Sequence, residues 1–297
     1  MTTTGYPPAH HLLTDLGMEG EVVSPTEVHL RMAVTPHVLG PDGGVRAGVL
    51  ATVVDVVGGS VALRAIGRQR MATADLVVEM VRPARGPRIE ARASLRRRGR
   101  TTLVVEAVVF ETPEAAAPTA SAAPTASAMA TAPVAWASMT FSLLPEKKDT
   151  EGDESASVDV VPEMPERWAF TGDGFERPVL ESLGIEVIDP LAGRLSMPAL
   201  PYHRNSFGAV QGGAMALLAE AAGAEAMRAV RGPDAEPLAV TGLQVAYLAL
   251  GRDGPITSQA RVLEGSSGSD SCAVVELADA GSEGRVTTHV NVAAASV

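Results

Sequence analysis

Two acidic residues sit where an acid is costly. Asp55 lies among Val53, Val54, Val56 and Val57, and Glu220 lies among Leu217, Leu218, Ala221 and Ala222. Each follows a glycine, Gly48 or Gly213, by seven residues. On an α-helix that is about two turns. A carboxylate desolvated inside an apolar helix has a raised pKa and can serve as a general base or nucleophile. Glycine at a helix start leaves the first N–H groups uncovered, at the positive end of the helix dipole. Aimed at a carbonyl, such donors stabilise the oxyanion of a tetrahedral intermediate. The combination suits acyl transfer. The alternative for either acid alone is a solvated helix face.

The two acids correspond because the chain repeats. A shift of 165 positions pairs Glu21 with Glu186, Pro25 with Pro190, Met32 with Met197 and Pro36 with Pro201. Without a gap it goes on to pair Gly43 with Gly208, Gly48 with Gly213, Asp55 with Glu220 and Gly58 with Gly223. Upstream, the Leu16-Gly17 pair matches Leu183-Gly184 after a two-residue slip.

Each repeat predicts the same elements: a short helix before the Leu-Gly pair, one strand, a Gly/Pro loop, a long apolar helix, then about four strands. The long helices are expected over 48–66 and 213–230. The first strands are expected over 28–33 and 194–197, and the later ones over 74–81, 88–95, 102–110 and 134–143, with 243–250, 256–263, 272–277 and 286–294 in the second repeat. This is an α+β plan, a central helix wrapped by an antiparallel sheet. The domains are expected over 10–145 and 167–297. Residues 112–133, nearly all Ala, Pro, Thr and Ser, read as a disordered insert in the first, and the acidic stretch 146–166 reads as the linker between them.

Composition narrows the function classes. The chain has 297 residues, a formal charge of −11 and one cysteine, Cys272. The charge argues against a nucleic-acid binder, and a lone cysteine excludes an internal disulfide. No apolar core follows a basic start in the first residues, and no run of 18 uninterrupted apolar residues occurs, so a cytoplasmic protein with no membrane partner is expected. No metal-ligand spacing and no G-x-S-x-G elbow is present, and no cofactor is expected. His37 and His203 flank the two loops at unmatched offsets and read as loop or capping residues. Arginines crowd the stretch from Arg82 to Arg100. Arg82, Arg97, Arg98 and Arg100 are candidates for receiving the phosphates of a coenzyme, or form a solvated hairpin tip.

The stretch His203-Arg204-Asn205-Ser206-Phe207-Gly208-Ala209-Val210-Gln211-Gly212-Gly213, with Glu220 seven residues on, resembles the signature of hotdog-fold thioesterases of the phenylacetate-pathway and hydroxybenzoyl-CoA kind. The resemblance implies two tandem hotdog domains forming an intrachain pseudo-dimer, with an acyl-CoA-like thioester as substrate. It also implies sites shared across the interface, a loop from one half facing the acid of the other, and leaves room for homo-oligomers of such units. Asp55 would then work with Asn205, Gly212 and Gly213. Glu220 would face Gly40 and Ala47 in a poorer site, because Gly40, Gly43, Arg46, Ala47 and Gly48 stand where the second loop has Asn205, Gly208, Gln211, Gly212 and Gly213. A hydroxyl found one turn after the acid in some relatives is replaced here by Gly59 and Ala224. A non-catalytic acyl-ligand module is the alternative function. A hotdog dehydratase or hydratase ranks last, since Val53 and Ala47 break its spacing.

Overall fold

The computed structural model describes residues 6–67, 69–113, 132–145, 165–263 and 270–296. Most of the insert expected over 112–133, and nearly all of the linker expected over 146–166, lie outside the described residues. The first half comprises α1 (Leu12–Leu16), β1 (Met18–Ser24), β2 (Glu27–Ala33), α2 (Ala47–Ile66), β3 (Met71–Met80), β4 (Arg88–Arg98), β5 (Thr102–Thr112) and β6 (Ala135–Leu143). The rest comprises β7 (Arg167–Ala169), α3 (Val179–Ser182), β8 (Glu186–Asp189), β9 (Arg194–Met197), α4 (Gly212–Arg231), β10 (Leu238–Tyr247), β11 (Ile256–Val262), β12 (Asp270–Asp279) and β13 (Arg285–Ser296).

Where one strand is expected before each long helix, the structure has a hairpin, β1–β2 and β8–β9. The outer strand of each escapes a hydrophobic pattern because it runs near the sheet edge, where Val23 of β1 and Val187 and Ile188 of β8 stay exposed and mark no buried face. β1 is itself edged by β7, whose Trp168 ring fills the place a Cβ on Gly20 would take.

All strands join one antiparallel sheet in the order β7-β1-β2-β4-β5-β6-β3-β10-β13-β12-β11-β9-β8. Apart from β7, the order read from either end visits corresponding strands of the two halves. The halves meet at β3 and β10, paired from Asp75↔Ala246 to Glu79↔Gly242. Each of these strands has an irregularity near its start, between Thr73 and Asp75 and between Val240 and Gly242. Those matched irregularities place Val240 where the first half has Thr73, and Tyr247 where it has Met80.

The helix α2 is rich in valine and carries Gly58 and Gly59, so its intrinsic propensity is poor. Burial compensates: Val49, Leu50, Val53, Val54, Val57 and Val61 are all fully buried against the sheet and α4. Among the described residues it is the one helix long and apolar enough to cross a bilayer, yet here it is a core helix. Both long helices stop at a glycine with positive φ, Gly67 at +66° and Gly232 at +86°. Each donates its N–H to the carbonyl four residues back, the termination that glycine makes cheap.

Near their N-termini the two helices pack so closely that glycine is required. A Cβ on Gly48 would lie 2.8 Å from the Leu217 Cα, and one on Gly213 would run into Thr52. A Cβ on Gly59, further along α2, would meet nothing within 4 Å. Gly59→Ala is therefore expected to raise stability by about 0.5–1 kcal/mol through helix propensity. Gly48→Ala, which must push backbone apart, is expected to lower it by about 1–3 kcal/mol. Thermal unfolding of the pair decides it, and equal effects would show that the helix crossing has room for a methyl group.

Candidate functional site

The loops before α2 and α4 are built alike. In the second, the Asn205 N–H donates to the Ala209 carbonyl (2.7 Å) and the Gly208 N–H to the Asn205 carbonyl (2.9 Å). In the first, Gly40 donates to Gly44 (2.7 Å) and Gly43 to Gly40 (3.0 Å). Gly43 and Gly208 both have φ near +70°. The Asn205 side chain serves this turn: its Oδ1 accepts from the N–H groups of Phe207 (2.9 Å) and Ala209 (3.1 Å). In the first loop the Asp42 Oδ1 does part of that work, accepting from Gly44. The structure thus gives Asn205 a local, loop-holding task.

Each acid faces the helix start of the other half, but the two do so differently. Glu220 is 3% exposed. Its Oε2 accepts the N–H of Gly48 at 3.0 Å, and its Oε1 lies 3.4 Å from Nη1 of Arg46. Burial pushes its pKa up, partly offset by the Arg46 charge and the Gly48 N–H. Asp55 stands beside Gly212, where a Cβ would meet its Oδ2 at 3.3 Å. Its Oδ1 accepts from the Thr73 hydroxyl at 2.8 Å. Burial raises its pKa to about 6, with the Thr73 hydrogen bond pulling the other way.

The difference follows from one methylene. The longer arm of Glu220 reaches the donor that opens α2 and fills it. The shorter arm of Asp55 stops at Thr73, and among the described residues no protein atom accepts the N–H of Gly213. The Glu220 side has no counterpart of Thr73, because Val240 occupies that position and cannot donate.

Two residues of the Asp55 site were not singled out in the sequence: Thr73, and Tyr247 at the end of β10. The Tyr247 hydroxyl donates to the Gly212 carbonyl at 3.0 Å and walls the acid. Its own pKa is driven up, first by burial and then by the Asp55 charge. Thr73 and Tyr247 lie on strands, far in sequence from the glycine loop, and only the β3–β10 pairing brings them to it.

The arginine candidates separate. Arg82 pairs with Glu111 and donates to the Ala132 carbonyl. Arg97, Arg98 and Arg100 are exposed around the β4–β5 turn, at the other end of an eleven-residue strand and so ~30 Å away. The register Thr73↔Phe141, Leu103↔Phe141 and Arg98↔Leu103 puts the turn, and not Arg82, at the end of the sheet that carries Thr73. His203 is fully buried, and burial lowers its pKa to about 4, which keeps it neutral near pH 7. Among the described residues no cluster of three His, Cys, Asp or Glu could hold a metal ion.

The sequence profile of the thioesterase superfamily matches residues 43–116, which carry α2 with Asp55 and β3 with Thr73. No curated relative matches the chain by sequence. Solved structures share its fold over most of the chain. An acyl-ACP thioesterase from Bacteroides thetaiotaomicron is 12% identical, with a TM-score of 0.55 over 90% of this chain and 97% of its own. The tesB protein of Mycobacterium avium subs paratuberculosis is 14% identical, with a TM-score of 0.58 over 94% and 95%. A conserved protein with a hot dog fold from Alicyclobacillus acidocaldarius is 14% identical, with a TM-score of 0.52 over 93% and 95%. The fold is the hotdog, with helices laid on an antiparallel sheet.

Proposed function

We propose that the chain hydrolyses an acyl-CoA-like thioester, and does so at one of its two pseudo-equivalent positions. The two halves act as the subunits of a fused hotdog dimer, with 10–145 and 167–297 as its domains. The observation that carries the reading is the pairing of Asp55, half-buried and with its pKa raised to about 6, with a helix N-terminus from the other half whose Gly213 N–H has no protein acceptor among the described residues.

In this reading the thioester carbonyl accepts from Gly213 at the start of α4, and the oxyanion gains charge where the helix dipole favours it. Asp55, oriented by Thr73, takes a proton from the attacking water. The tetrahedral intermediate collapses, the C–S bond breaks, and the thiolate leaves and is protonated. Tyr247 fixes the Gly212 peptide by holding its carbonyl. Asn205 keeps the loop in shape, and Glu220 stands outside the working site.

Incubation of the protein with a panel of acyl-CoAs and a thiol reagent tests this. Release of one free thiol per thioester consumed is the expected result. Saturable binding of an acyl-CoA without thiol release would replace hydrolysis with the acyl-ligand binding module.

A further inference from the structure

A second device is duplicated in the fold. In the second half, the buried carboxylate of Asp279 accepts three successive backbone N–H groups, those of Arg252 (2.7 Å), Asp253 (3.0 Å) and Gly254 (2.7 Å). These donors outweigh the effect of burial and hold its pKa below the usual range. The turn after β10 is thereby fixed. From it the Arg252 guanidinium donates through Nη1 to the Phe207 carbonyl at 2.8 Å. The Gly251 carbonyl of the same turn accepts the Val210 N–H at 2.8 Å. The first half has the same parts. Glu111 accepts from the N–H groups of Arg85 and Gly86, Arg85 donates to the Asp42 carbonyl at 2.8 Å, and Val45 donates to Ala84 at 2.9 Å.

The two braces hold loops of unequal consequence. The one ending in Arg85 supports the approach to Gly48, whose N–H Glu220 already occupies. The one ending in Arg252 supports the approach to Gly212 and Gly213, beside Asp55. At the tip of that loop the Phe207 ring is also covered from the first half by Arg70, 5.5 Å from its centroid. Phe207 is therefore held at its carbonyl, its N–H and its ring.

We infer that Arg252 is a positioning residue for the Asp55 site, acting through the Phe207 carbonyl to set the loop from which the α4 N-terminus springs. The inference rests on the reading of Asp55 as the working acid. Arg252 contacts the loop at the Phe207 carbonyl, so its loss should disturb donor alignment more than substrate capture. A misplacement of about 1 Å in such a site can cost ~100-fold in rate.

The test compares Arg252→Ala, Arg252→Lys and Arg85→Ala in the full chain, with Asp55→Asn alongside. Arg252→Ala is expected to lower kcat by about tenfold or more, with KM and the midpoint of the pH profile little changed. Arg252→Lys should recover most of the loss, because an ammonium can donate to the same carbonyl. Arg85→Ala should cost less than about twofold while shifting the melting temperature as much as Arg252→Ala, since both break the same kind of bond. Equal kcat losses in the two alanine variants would make the brace merely structural and overturn the inference. So would a wild-type kcat in Arg252→Ala when Asp55→Asn is dead. Normal turnover by Asp55→Asn would instead remove the reading beneath it, and the inference with it.

Discussion

Asp55→Asn is expected to lower kcat by about 10²–10⁴ while leaving KM within a few-fold, the usual scale for loss of a general base. Asparagine keeps the size of the side chain and an oxygen for the Thr73 hydroxyl, which donates to Asp55 at 2.8 Å. It cannot take a proton from water. The pH profile offers an independent check. Asp55 titrates near 6, and the base works only when ionised, so kcat/KM should fall as pH drops through about 6. The same raised pKa makes a stability prediction of opposite sign. A carboxyl whose folded pKa lies above its unfolded value destabilises the native state when ionised. That cost is absent below pH ~4, grows between about 4 and 6, and is full above it. Asp55→Asn should thus be more stable than the parent at pH 7, by at most about 3 kcal/mol, and the gain should vanish near pH 4. Urea unfolding at the two pH values measures it. A variant with turnover within threefold of the parent would remove Asp55 from the chemistry.

The repeat was legible because the positions that keep its register have few substitutes. Gly43 and Gly208 need positive φ, and Gly48 and Gly213 sit where a Cβ would strike the facing helix. In the sequence alone, the glycines at the helix start are bare donors for a ligand. The structure adds that they are the contact at which α2 and α4 cross. Each long helix was visible as a mostly apolar stretch between loop and strand, but the outer hairpin strands were not, because neither carries a sustained alternation of apolar and polar residues. Thr73 and Tyr247 were illegible for a different reason. Neither carries a local pattern, and their meaning arises from the antiparallel pairing of β3 with β10, which sets the start of one strand against the end of the other. The arginines, close in sequence, were parted by the length of β4.

Glu220, at the same repeat position as Asp55, should give the reverse phenotype. Glu220→Ala is expected to lower the unfolding free energy by about 1–3 kcal/mol, the scale for leaving a buried hydrogen-bond donor without its partner. It strips the acceptor from the Gly48 N–H, leaves Arg46 without its counter-charge and empties space between the two helices. Per folded molecule, kcat should stay within about threefold, since the carboxylate fills its donor instead of leaving it for a carbonyl. Glu220→Gln separates the contributions. The amide oxygen can still accept from Gly48, and a neutral group escapes the burial that raises the pKa of the acid, so most of the stability should return even though the ionic contact with Arg46, itself partly exposed, is gone. Urea unfolding and steady-state hydrolysis on the same preparations decide the matter. If Glu220→Gln is the variant that loses turnover while Asp55→Asn keeps it, the working carboxylate is the one that touches Gly48. The hydrogen bond that now closes the site would then have to open in every catalytic cycle.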